Sequence, residues 1–175
     1  MEQLPVDDVI ILPNNKNIIL AAEAARDISS KNVAVVPSRT APQGISALLA
    51  LRGKGDLDEV ASEMSTACGT VTSGEVTVAT RSVTLDGVDV EEGQIIGVVD
   101  GRLRAAGEKM DLVLQQVLKE MGIESRELVS LYYGQDVAES DAEKVAAMIE
   151  DLYSDLEVEV LSGGQAIYQY ILGAE

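Results

Sequence analysis

The sequence predicts an α/β fold of two lobes, the first built on a short parallel βαβ sheet, and three observations carry that prediction. Residues 9–12 (V-I-I-L) and 32–36 (N-V-A-V-V) are short, β-branched runs without polar alternation, as expected of strands covered on both faces. Each is closed by a proline, Pro13 or Pro37, which has no N–H to donate to a ladder. Between them Ile18, Ala21, Ala22, Ala25 and Ile28 recur at helical spacing, and two strands joined through a helix of that length pair in parallel as a right-handed crossover. A second alternation of helix and strand begins after residue 107. The expected lobes are 1–82 and 83–175, the second entered through a β-meander.

The elements follow in order. After the first strand Asn14 is placed to cap the first helix. The loop at 38–44 (S-R-T-A-P-Q-G) precedes a helix at 45–51. Parallel pairing would set this loop beside the one at 13–17, at the carboxyl edge where α/β folds hold their ligands. Arg52, Gly53, Lys54 and Gly55 read as a turn, and Asp56 as the cap of a helix with the stripe Leu57, Val60, Ala61, Met64, Ala67 and Cys68. Val76, Val78 and Thr80 alternate with more polar neighbours as in a strand. Asp86-Gly87 and Asp100-Gly101, each between apolar residues, are strong hairpin signals.

Met110, Val113, Leu114, Val117, Leu118 and Met121 trace a regular amphipathic stripe, and residues 128–133 form a strand. A helix starts near Ser140, where S-D-A-E reads as a capping box. Residues 157–161 alternate as a strand, Gly163 and Gly164 supply positive φ in a turn, and residues 167–172 close the chain as an edge or exit strand.

Charge and composition exclude several classes of function. The net charge is −17, and residues 1–54 contribute six basic and five acidic groups. The acidic excess therefore lies in the remainder, which repels nucleic acid and anionic headgroups. No stretch reaches membrane length, so neither nucleic acid nor membrane insertion is expected, and a cytoplasmic protein is. Histidine is absent, which removes the commonest general base and metal ligand. No phosphate-cradling glycine loop is present. Cys68 is the only cysteine and lies on the apolar stripe of its helix, so a buried inert thiol is expected.

The candidate site is the pair of polar loops: Asn14, Asn15, Lys16 and Asn17 with Ser38, Arg39, Thr40 and Gln43. Short asparagines suit backbone contacts, and Lys16 and Arg39 suit a partner's carboxylates. A small anion such as a phosphate is the other reading of the same loops, through a helix N-terminus and Lys16. Arg81 joins the set as a surface or lobe-bridging ion pair. No metal ligands and no catalytic residues are assigned.

Four blocks in this order carry a family resemblance: L-P-N-N-K-N-I-I-L-A-A-E at 12–23, V-V-P-S-R-T-A-P-Q-G at 35–44, Y-G-Q-D-V at 133–137 and G-G-Q-A-I-Y at 163–168. Together they resemble the C-terminal region of the catalytic component of fatty acid kinase, one of the dihydroxyacetone-kinase-like (DAK2) proteins of bacteria. Ala166 departs from the proline usual in that family, and Ala79-Thr80-Arg81-Ser82 matches its Ala-Val-Arg-Asp pattern only in part. The resemblance implies a DegV-like build and a docking role toward a DegV-type acyl-binding subunit. ATP and magnesium would belong to a separate kinase domain, and the chain itself would be non-catalytic and hold no cofactor. It further implies a place in phospholipid synthesis and a possible homodimer through the parent protein.

Overall fold

Strands β1 (Asp8–Ile11) and β2 (Asn32–Val35) pair in parallel, Asp8 opposite Asn32 through Ile11 opposite Val35, and helix α1 (Ile19–Asp27) connects them. The structure is a computed structural model that describes every residue except Lys54, so the expected turn at 52–55 falls partly outside the described residues. The chain divides into two compact units, Met1–Val71 and Thr72–Glu175.

In the first unit helices α2 (Ala41–Leu49) and α3 (Leu57–Thr70) follow the strands. Val36, Ala47, Met64 and Cys68 form the core, with Ile10, Leu12, Val60 and Ala61 packed against it. The two strands are only partly covered, most of their residues being half-buried; a two-stranded sheet in so small a unit cannot bury both faces. Asp56 caps α3, its carboxylate accepting the Glu59 N–H at 2.9 Å. Helix α1 is not capped by Asn14: Ile18 occupies the cap position and no side chain bonds there. Asn14 instead adopts φ 53°, a left-handed conformation that asparagine tolerates better than most residues.

The second unit contains strands β3 (Thr72–Val78), β4 (Val83–Leu85), β5 (Val88–Val90), β6 (Ile95–Val99), β7 (Arg102–Gly107), β8 (Leu128–Tyr133), β9 (Glu157–Ser162) and β10 (Tyr170–Ala174), with helices α4 (Met110–Met121) and α5 (Glu139–Leu152). Six strands make one sheet in the order β7-β6-β3-β10-β8-β9, and β4 and β5 form a separate hairpin. Asp86 and Gly87 turn that hairpin and Asp100 and Gly101 the next, all four with positive φ, the conformation the favoured two-residue hairpin turn requires. β8 and β9 are parallel across α5, while the other pairs of the sheet are antiparallel.

Strand β3 is paired on both sides inside this sheet, by β10 and β6. The units therefore divide before it rather than after residue 82. β10 lies in the middle of the sheet, not at an edge: Tyr170, Leu172, Gly173 and Ala174 are buried between β3 and β8. Helix α5 starts one residue before Ser140, with Ala138 at the cap and no side-chain cap bond, so the capping box does not form. Gly164 has φ 64° but Gly163 does not share it. A Cβ on Gly163 would lie 2.0 Å from Gln165 Oε1, so Gly163 answers close packing rather than turn sign.

The core of the second unit sits between the sheet and α4 and α5, and includes Val113, Leu114, Val117, Leu118, Leu131, Ile149 and Leu172. α4 approaches the sheet over two glycines. A Cβ on Gly97 would lie 2.2 Å from Val117 Cγ2, and one on Gly74 would lie 2.6 Å from Met121 Sδ.

Candidate functional site

Pro13 and Pro37 end the two parallel strands in step, so the loops that follow leave the same edge of the β1–β2 pair. There they interlock. The Asn14 N–H donates to Ser38 Oγ at 3.0 Å, and the Ser38 hydroxyl donates back to Asn14 Oδ1 at 2.7 Å. Ser38 is fully buried, and a buried hydroxyl with both roles satisfied stabilises the junction it bridges. The absent side chain of Gly44 completes the fit, because a Cβ there would lie 2.0 Å from Asn14 Oδ1.

The remaining polar residues divide into two groups. Thr40 and Gln43 are structural. Thr40 is the N-cap of α2, its hydroxyl accepting the Gln43 N–H, and is nearly buried. The Gln43 side chain accepts the Arg39 N–H at 2.9 Å and donates to the Val71 carbonyl at 3.3 Å. It also accepts the Cys68 thiol at 3.9 Å. Cys68 is buried and burial pushes its pKa up, opposed by the positive field of Arg39, so the thiol stays protonated and inert. Asn14, Asn15, Lys16, Asn17 and Arg39 are exposed. Asn15 Oδ1 accepts the Asn17 N–H at 2.9 Å, an Asx turn that fixes the loop tip.

Eight of the nine candidate residues thus meet on one edge of the first unit. The ninth, Arg81, belongs to the second unit, on an exposed bend between β3 and β4. It takes part in none of the ion pairs formed among the described residues. At the start of α2, Pro42 has no N–H and that of Gln43 is taken by Thr40.

A feature the sequence reading passed over is α2 itself. Its nine residues include no charged side chain, a signal present in the sequence. The second unit also has an open cleft of about 560 Å³, lined by Val88, Arg104, Lys109, Leu112, Val113 and Gln116 among others; none of the candidate residues lines it.

A family model for the C-terminal region of FakA-like fatty acid kinase subunits matches residues 1–175. Protein YloV of Bacillus subtilis (strain 168) is 36% identical over 175 residues, covering 100% of this chain and 32% of that protein. A protein of Staphylococcus aureus (strain USA300) is 35% identical with the same coverage. The chain therefore spans about a third of the length of these relatives. Among solved structures, the fatty acid kinase (Fak) B3 protein of Streptococcus pneumoniae, loaded with linoleic acid, matches with TM-score 0.68 at 10% identity, over 98% of this chain and 72% of that one. A fatty-acid-binding DegV family protein of Thermus thermophilus matches with TM-score 0.60 at 17% identity, again over 98% and 72%. At such identities the likeness shows the fold, which is that of the DegV proteins.

Proposed function

The chain belongs to the C-terminal domain family of FakA-like fatty acid kinase subunits, and on that premise we propose that it is a non-catalytic docking domain for an acyl-binding subunit of DegV type. The ATP- and magnesium-dependent transfer of a phosphoryl group to the fatty acyl carboxylate then belongs to another part of the longer protein. The observation that carries this reading is the interlocked edge. Asn14 and Ser38 hold two loops together from inside, and the same loops turn Asn15, Lys16, Asn17 and Arg39 outward. A preorganised polar edge with two cations loses little entropy on meeting a protein surface.

The test is a titration of the chain into a purified DegV-type subunit carrying fatty acid. Lys16→Glu and Arg39→Glu should each weaken association by about 1–3 kcal/mol, the scale of a good charged interface contact, with unchanged thermal unfolding. Affinities indistinguishable from wild type for both variants would remove this edge from the interface.

A further inference from the structure

The second unit has a further cleft, of about 360 Å³, framed by α4, α5 and the first residue of β10. Asp111 stands in the first turn of α4 and Asp141 in the first turn of α5. Met110, Val145 and Met148 supply apolar wall, and Tyr170 lines the cleft from the sheet side. Carboxylates in a first turn are ordinarily accounted for by the helix dipole, so the acidic pair alone calls for no ligand. Tyr170 does. It is 4% exposed, and no group among the described residues hydrogen-bonds its hydroxyl. Burial first, then the fields of Asp141 and Asp111, raise its pKa, so a neutral phenol faces both carboxylates without bonding either. Buried hydroxyls are nearly always partnered, and one left alone costs stability. A ring that only filled the core would be as well served by phenylalanine.

We propose that this cleft binds an alkylammonium group, a primary-amine cation on an apolar stem. An ammonium has three N–H donors and no acceptor, and Asp111, Asp141 and the Tyr170 oxygen are the acceptors on the cleft wall. The stem would lie against Met110, Val145 and Met148, since long amines bury their methylenes while the charge stays polar-bound. Two carboxylates repel an anion. A divalent metal ion wants six or more oxygen ligands, and no cluster of three or more His, Cys, Asp or Glu is present among the described residues. Lys144 shows the mode of recognition at the rim, its Nζ donating to Asp141 Oδ1 at 2.7 Å with both side chains largely exposed. A carboxylate has about four lone-pair sites, so Asp141 keeps capacity, and Asp111 enters none of the ion pairs among the described residues. Lys144 is therefore the built-in competitor for the guest. The site shares no residue with the interlocked edge and stands apart from the docking role.

The experiment titrates the full chain with n-hexylammonium at pH 7, followed by amide chemical shifts in NMR, for wild type and for Tyr170→Phe, Asp111→Asn and Lys144→Met. Saturable shifts centred on the starts of α4 and α5, weakened fivefold or more by Tyr170→Phe and by Asp111→Asn and tightened by Lys144→Met, establish the site. Absence of saturable binding overturns it. So does binding that both Tyr170→Phe and Asp111→Asn leave unchanged within twofold, or that tetramethylammonium, a cation without N–H donors, matches; either marks a diffuse attraction to acidic surface. Asp111 is exposed, so Asp111→Asn tests the site without disturbing the core. Thermal melts give an independent reading: Tyr170→Phe should melt no lower than wild type, and a clearly lower melt would mean that the hydroxyl is already partnered, which also overturns the proposal. A free polyamine and the lysine side chain of a protein segment present the same group. Tighter binding of spermidine than of N-acetyl-lysine amide upholds the site with the first as source, and the reverse order upholds it with the second.

Discussion

Ser38 is the residue on which the candidate edge depends, although a partner cannot touch it. Its oxygen takes the N–H of Asn14 and its proton goes to the Asn14 side chain, so one buried hydroxyl fixes the left-handed bend at Asn14. Ser38→Ala leaves that N–H and that amide oxygen to find other partners, and the variant should lose about 1–2 kcal/mol of stability, read as a shift in the urea midpoint at constant slope. Partner affinity should fall as well, because the Asn15 to Asn17 tip is no longer held; full affinity would mean that the interlock does not position the tip. The sequence showed that the eight loop residues belong together, because proline-terminated parallel strands leave their loops on one edge. Which residues face inward was not visible. Serine, threonine and asparagine serve equally as cap, bridge or contact, and only the positive φ at Asn14 and the burial of Ser38 separate these roles.

At the scale of elements, glycines decide how closely helices approach their sheets. Gly97→Ala places a methyl against Val117 Cγ2 from the sheet side, with Ala105 and Val113 at 3.3 Å preventing escape. It should destabilise the protein by about 1–3 kcal/mol, as overpacking does. Gly69 lies in α3 with nothing within 4 Å of the Cβ site, and Gly69→Ala should stabilise by about 0.5 kcal/mol through chain entropy. Chemical denaturation of the pair checks both signs; equal effects would mean that the close approach of α4 does not govern the first. Apolar periodicity located α3, α4 and β8, and Asp-Gly dipeptides located both hairpins. Periodicity did not reveal that β10 is central. A five-residue strand ending in Gly173 and Ala174 resembles a chain end, and its burial comes from partners distant in sequence, β3 and β8. Nor did periodicity show which face of α2 is covered: its buried positions are the small Pro42, Gly44, Ser46 and Ala47, while Ile45, Leu48 and Leu49 are exposed.

At the scale of the whole molecule, the lack of histidine leaves no side chain with an ordinary pKa in the neutral range, and alkaline pH becomes the sensitive side. Tyr132, Tyr168 and Tyr170 all have pKa values raised above the ordinary tyrosine value, burial being the first cause in each. Around Tyr170, the fields of Asp141 and Asp111 add to burial, since a phenolate there would face two carboxylates. Above about pH 10, where an unfolded tyrosine ionises, the unfolded chain releases protons that the native chain still holds. Stability therefore falls as pH rises, because the unfolded state binds fewer protons. The contribution of these tyrosines is complete below about pH 10 and is lost as pH climbs through their raised folded values. Urea midpoints measured from pH 8 to 11 should be flat at first and then decline. Tyr170→Phe removes the ionisation while keeping the ring in the core, so its decline should be shallower than wild type. A variant curve that parallels the wild-type curve through pH 11 would show that Tyr170 does not take part in alkaline unfolding.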